Sequence, residues 1–133
     1  MEYSDLRLAI YNQLCTTIPA VSNRVYWGWV AKADTVKPYL IISFTGELPS
    51  LNTPLGSFMQ FDVLAVGVQG GILSLDPIAD DVVTALHNVD ITTPAGRIIR
   101  CEYRRDARID FWSEQLNGNL IRLKFWLPTD FWT

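Results

Sequence analysis

The chain has 133 residues, 49% of them hydrophobic and 19% charged, the balance of one globular domain over residues 1–133 rather than of a disordered chain. A formal net charge of −3 argues against a dedicated nucleic-acid binder, which would be basic on at least one face. Five Trp, five Tyr and six Phe are a rich supply of rings, and rings beyond the needs of a core are favoured at protein interfaces.

In chain order, Leu6, Ala9, Ile10 and Leu14 recur at helical spacing, with Ser4 placed to cap and Asp5 where the helix dipole favours an anion. The spacing predicts a helix over 5–16 that stops before Pro19. The aromatic segment 24–30, RVYWGWV, reads as a short strand. Residues 38–44, PYLIISF, form a continuous apolar run, the pattern of a central strand covered on both faces. The span 45–57, TGELPSLNTPLGS, has two Pro and two Gly and no periodicity, so a long loop is expected there. Gly46, Glu47, Leu48, Leu51, Leu55 and Gly56 are its candidate assembly residues, because long loops in compact domains often carry function.

From 57 to 67 the chain alternates, with Met59, Phe61, Val63 and Ala65 on one face and Gln60 and Asp62 on the other. Asp76 resembles an N-cap with Pro77 at the first helical position, and Leu75, Ile78, Ala79, Val82 and Leu86 form one stripe, predicting a helix over 77–87. A short strand is expected at 91–93. Segments 97–105 and 120–127 alternate again, with Ile99, Cys101, Tyr103, Ile121, Leu123, Phe125 and Leu127 inward, and are expected to pair antiparallel across the Asn117-Gly118 turn signal. The register between Asp106 and Gln115 stays open. The expected fold class is α+β: a single, mostly antiparallel sheet of about five to six strands with two helices packed on one face.

No catalytic set assembles from these elements, and no cofactor or metal is expected. His87 has no nucleophile motif beside it. Gly67-Val68-Gln69-Gly70-Gly71 lacks the Lys-Ser/Thr ending of a phosphate loop and reads as a turn. Asp80 and Asp81 point about 100° apart on a helix, so they do not converge on one ion. Cys15 and Cys101, with no CxxC pair, are expected to be reduced thiols. The opening MEYSDLRLAI has no basic stretch or cleavage site, and no apolar run approaches a membrane span, so a cytoplasmic, membrane-free location is expected.

The stretch 103–127 mixes charge with rings. Arg100, Glu102, Arg104, Arg105, Asp106, Arg108, Asp110, Trp112 and Trp126 are the candidate interface residues. Mixed-sign charge beside bulky rings suits a self-complementary subunit contact, because plus on one copy meets minus on the next. Two other readings stand beside it: a solvated face that protects a sheet edge, and a nucleic-acid patch in which Arg100, Arg104, Arg122 and Lys124 share a sheet face with Trp126.

The order LRLAIYNQL, IPAVSNRVYWG, PYLIISF, FDVLAVG, DPIADDVVTALHNV, CEYRRDARIDFW and LIRLKFWL resembles the small tail-completion or tail-terminator proteins of long-tailed phages and prophages. The resemblance covers nearly the whole chain and lies in order and spacing rather than in one diagnostic motif. It implies a non-enzymatic virion protein that closes into a homo-oligomeric ring, a hexamer in that family, on the head-proximal end of the tail tube. Its partners would be the tail tube protein and the head–tail connector protein, with DNA passing through the ring without specific binding. Assembly would take place in the host cytoplasm, and the protein would then reside in the virion tail. A head–tail connector component of the same kind of particle is the alternative, followed by a small nucleic-acid-binding accessory domain.

Overall fold

The computed structural model describes residues 3–21, 24–27, 37–49, 57–68, 72–114 and 118–128, apart from the side chains of 3, 4, 20, 27, 45–49, 57–59, 72, 106 and 128. Helix α1 (Tyr3–Thr17) and a 3-10 turn (Pro19–Val21) lead to β1 (Val25–Trp27), β2 (Tyr39–Pro49) and β3 (Ser57–Gly67). Helix α2 (Ile72–Leu86), the short strands β4 (Ile91–Thr92) and β5 (Ile98–Ile99), and the long strands β6 (Glu102–Ser113) and β7 (Gly118–Pro128) follow. Among the described residues the main sheet has five strands in the order β1-β2-β3-β7-β6, and β4-β5 form a separate two-stranded ribbon. Among the described strand pairs β1 and β2 run parallel and the others antiparallel, in line with the α+β expectation.

Both helices pack on one face. Leu6, Ala9, Ile10 and Leu14 of α1 and Leu75, Ile78, Ala79, Val82 and Leu86 of α2 are buried with Phe61, Val63, Ala65, Ile121, Leu123 and Phe125 of the sheet. An aromatic row crosses the strands beneath them. Phe44 and Phe61 have ring centres 5.3 Å apart, Phe61 stacks on Phe125 at 5.3 Å, and Tyr103 lies 5.5 Å from Phe125. The opposite, helix-free face carries a second buried cluster of Tyr39, Ile41, Leu64, Val66 and Leu120. Burial on both faces explains why β2 reads as an unbroken apolar run from Tyr39 to Ile42.

Three expectations are corrected. The loop expected over 45–57 is strand at its near end: Gly46, Glu47 and Leu48 belong to β2, opposite Gln60, Met59 and Phe58. Among the described residues β1 pairs β2 as far as Ile42, and β2 runs on to Pro49 against β3 alone. Leu51, Leu55 and Gly56 lie outside the described residues. Helix α2 starts at Ile72 rather than at Pro77, which places Pro77 inside it. Proline removes the N–H that would bond the Leu73 carbonyl, and Leu73 is exposed, so water can take that group. Lastly, the strand expected over 97–105 is split, with Ile98–Ile99 pairing Ile91–Thr92 and the main-sheet strand beginning at Glu102.

One glycine is fixed by packing. A Cβ on Gly118, the first residue of β7, would lie 2.4 Å from the Gly67 carbonyl oxygen, so β7 can meet β3 there only without a side chain.

Candidate functional site

Strand β6 forms one edge of the main sheet, and most of the candidate interface residues fall on it: Glu102, Arg104, Arg105, Asp106, Arg108, Asp110 and Trp112. Trp126 lies on the adjoining strand opposite Glu102. The side chain of Asp106 lies outside the described residues. Arg100 is set apart from them. It precedes β6 and donates to the Asp90 carboxylate at 2.6 Å, so it does not share the sheet face of Arg104, Arg122, Lys124 and Trp126.

The edge strand is not regular. Arg104 opposes Lys124 and Ile109 opposes Arg122, so residues 105–108 bulge against Leu123 alone. The bulge re-aims Arg108, which donates through Nε to Asp110 at 3.0 Å and through a terminal nitrogen to Asp76 of α2 at 2.8 Å. Its guanidinium is pushed up, first by the hydrogen bond to Asp110; burial opposes the rise, and the hydrogen bond to Asp76 adds to it. Past the bulge, Ile109, Phe111 and Trp112 remain 44%, 39% and 40% exposed, large for apolar side chains. Ile109 and Phe111 were not among the sequence candidates. Their signal was the break in alternation through RRDAR, which shifts which residues face out.

The helix-free face divides into two halves. Rows through Tyr39–Val66–Leu120–Phe111 and Ile41–Leu64–Arg122–Ile109 make an apolar half that runs out to the exposed edge. Beside it, Ser43–Asp62–Lys124–Arg104 make a polar half. Here the Arg104 guanidinium lies 3.7 Å from the centre of the Trp126 ring, a cation–π contact. Asp62 is only 7% exposed, and its Oδ1 and the Nε of Arg122 are buried without a hydrogen bond. Burial pushes the Asp62 carboxyl up, while Lys124 and then Arg122 pull it down. Sequence alternation placed Asp62 on the outward face correctly but gave no sign that this face is covered there.

The remaining sequence candidates are scattered. Asp80 and Asp81 are exposed on α2. Cys15 is half-buried and Cys101 buried, both free, and burial pushes the Cys101 thiol up to about 12. The described residues hold no group of three or more His, Cys, Asp or Glu able to ligate a metal.

No family model and no curated protein matches the sequence. Among solved structures, the chain is similar to one from the virion of a native gene transfer agent particle. The TM-score is 0.71 at 20% identity, over 96% of this chain and 98% of that one. The two share a fold over nearly their whole lengths.

Proposed function

We propose that the chain is a structural virion protein that forms a ring at the head-proximal end of a phage tail tube, ends tube polymerisation and offers the surface for head–tail joining. The observation that carries this reading is the fold shared end to end with a chain of a gene transfer agent virion. The sequence resemblance to tail terminators supplies the position in the particle and the expectation of six copies.

The sheet suits such a role. A ring is closed by one contact repeated around an axis, so each subunit needs two unlike, complementary flanks. One edge here is the three-residue β1; the other is the twelve-residue β6, with alternating charge and exposed Ile109, Phe111 and Trp112. The protein acts by shape, performs no bond-making, and joins its own copies, the tube protein and the connector.

Electron microscopy of particles assembled without this protein tests the reading. Overlong or ragged tubes are expected. Tails of normal length that fail only to join heads would instead make the chain a head–tail connector component.

A further inference from the structure

Helix α2 is fastened to β6 at both of its ends. Near its start the fastener is the Arg108–Asp76 ion pair. At its C-terminal end the chain turns through Asn88, whose φ of 55° lies in the left-handed region, and the Asn88 N–H donates to the Cys101 carbonyl at 2.9 Å. The Tyr103 N–H then donates to His87 Nδ1, also at 2.9 Å. The backbone N–H of His87 still donates to Val83 at 2.8 Å, so the last turn of the helix fixes where the imidazole stands.

An imidazole nitrogen that accepts an N–H must carry a lone pair, so in this arrangement the ring is neutral with its proton on Nε2. The Asn88 amide nitrogen lies 3.2 Å from Nε2, and turning that amide over brings its oxygen there to accept the proton. A second proton can go only to Nδ1. There it meets the Tyr103 N–H head on, and the amide loses its acceptor.

Neutral side chains flank the ring. On the β6 side the Tyr103 ring stands edge-on at 6.5 Å, its phenol pushed up mainly by burial, and the Cys101 thiol is pushed up to about 12; both stay neutral in mild acid. Beyond Asn88, Asp90 is already paired with Arg100. Asp80 on α2 and Arg105, Arg108 and Asp110 on β6 are the charged groups that act on Tyr103. Among the described residues no carboxylate is hydrogen-bonded or ion-paired to His87.

We infer that His87 is an acid-released clamp on the start of the β6 edge strand: neutral, it holds the Tyr103 amide, and protonated at Nδ1 it lets go. The clamp belongs to the single chain and does not depend on the ring reading.

Amide hydrogen exchange of the whole chain, followed by NMR and corrected for intrinsic rates, tests this at about pH 7.5 and about pH 5.5, spanning the range in which histidine charges. Protection at Tyr103 is expected to fall about tenfold in acid while the Leu123 amide of β7 keeps its own. In His87→Asn the side-chain oxygen takes the place of Nδ1 but does not titrate, so the acid effect should vanish. Unchanged Tyr103 protection in the wild type, an equal loss at Leu123, or an acid effect that survives in His87→Asn would each overturn the inference. His87→Ala should lack Tyr103 protection at both pH values, but the test stands without it if that variant does not fold.

Discussion

Asp62 sits beside two cations and is still held above the ordinary carboxylate range, because the loss of water outweighs the attraction of Lys124 and Arg122. The folded chain therefore binds the Asp62 proton more tightly than the unfolded chain does. Stability from this group falls as pH rises from the unfolded value through the folded one, and above that window the buried carboxylate is a net cost. Asp62→Asn should stabilise the chain by about 1 kcal/mol at pH 7, with a gain that shrinks toward pH 4. Urea unfolding at both pH values checks it; a loss at pH 7 would show that the cations win. Two glycines give a second comparison at this scale. Gly118→Ala sets a methyl against the Gly67 backbone at 2.4 Å, whereas Gly67→Ala meets only the end of the Leu75 side chain at 3.0 Å. The first should cost about 2–3 kcal/mol and the second less than about 1, read as shifts in the urea midpoint.

Helix α2 and strand β6 illustrate which elements can be read from a sequence and which cannot. The helical stripes of Leu6–Leu14 and Leu75–Leu86, the covered strand at Tyr39–Ile42 and the alternation of Leu120–Leu127 were all legible, because each buries a repeat that only one secondary structure can present. The extension of β2 through Pro49 was not. Residues 45–49 carry no repeat of their own and are drawn into the sheet by pairing with Ser57–Gln60. The early start of α2 was hidden by Asp76-Pro77, a strong start signal whose carboxylate turns out to serve Arg108 instead. The bulge at 105–108 was hidden as well, and one carboxylate that its Arg108 meets lies on a helix far away in sequence. Its energy can be measured. Arg108 and Asp76 are 30% and 44% exposed, so solvent screens the pair, and a double-mutant cycle with Arg108→Ala and Asp76→Ala should give a coupling of about 0.5–1 kcal/mol. Zero coupling would mean that Asp110 alone sets the bulge.

For the molecule as a whole, what matters is that the sheet has unlike faces and unlike edges. Helices pack on one face, while the apolar half of the other runs through Leu120 and Arg122 to Phe111 and Ile109 and there meets solvent. An edge strand that ends a buried row in exposed rings invites a neighbour, and its charges set which neighbour is accepted. Of the nine interface candidates from the sequence, all but Arg100 lie on β6 or, for Trp126, on the adjoining strand; they stressed charge where the structure adds apolar surface. Arg104 is a poor choice for testing the seam, because its guanidinium is stacked on Trp126 and a change there also disturbs the subunit. Arg105 and Phe111 are both exposed on β6 and make the cleaner pair. Under the ring reading, Arg105→Glu with Phe111→Ser should leave the unfolding midpoint within about 0.5 kcal/mol of the parent while weakening self-association at least about tenfold. Sedimentation velocity at moderate salt, over a range of concentrations, separates the outcomes. Association equal to that of the parent would move the seam off the β6 edge, and a lower unfolding midpoint would mean that these side chains serve the fold of the single chain.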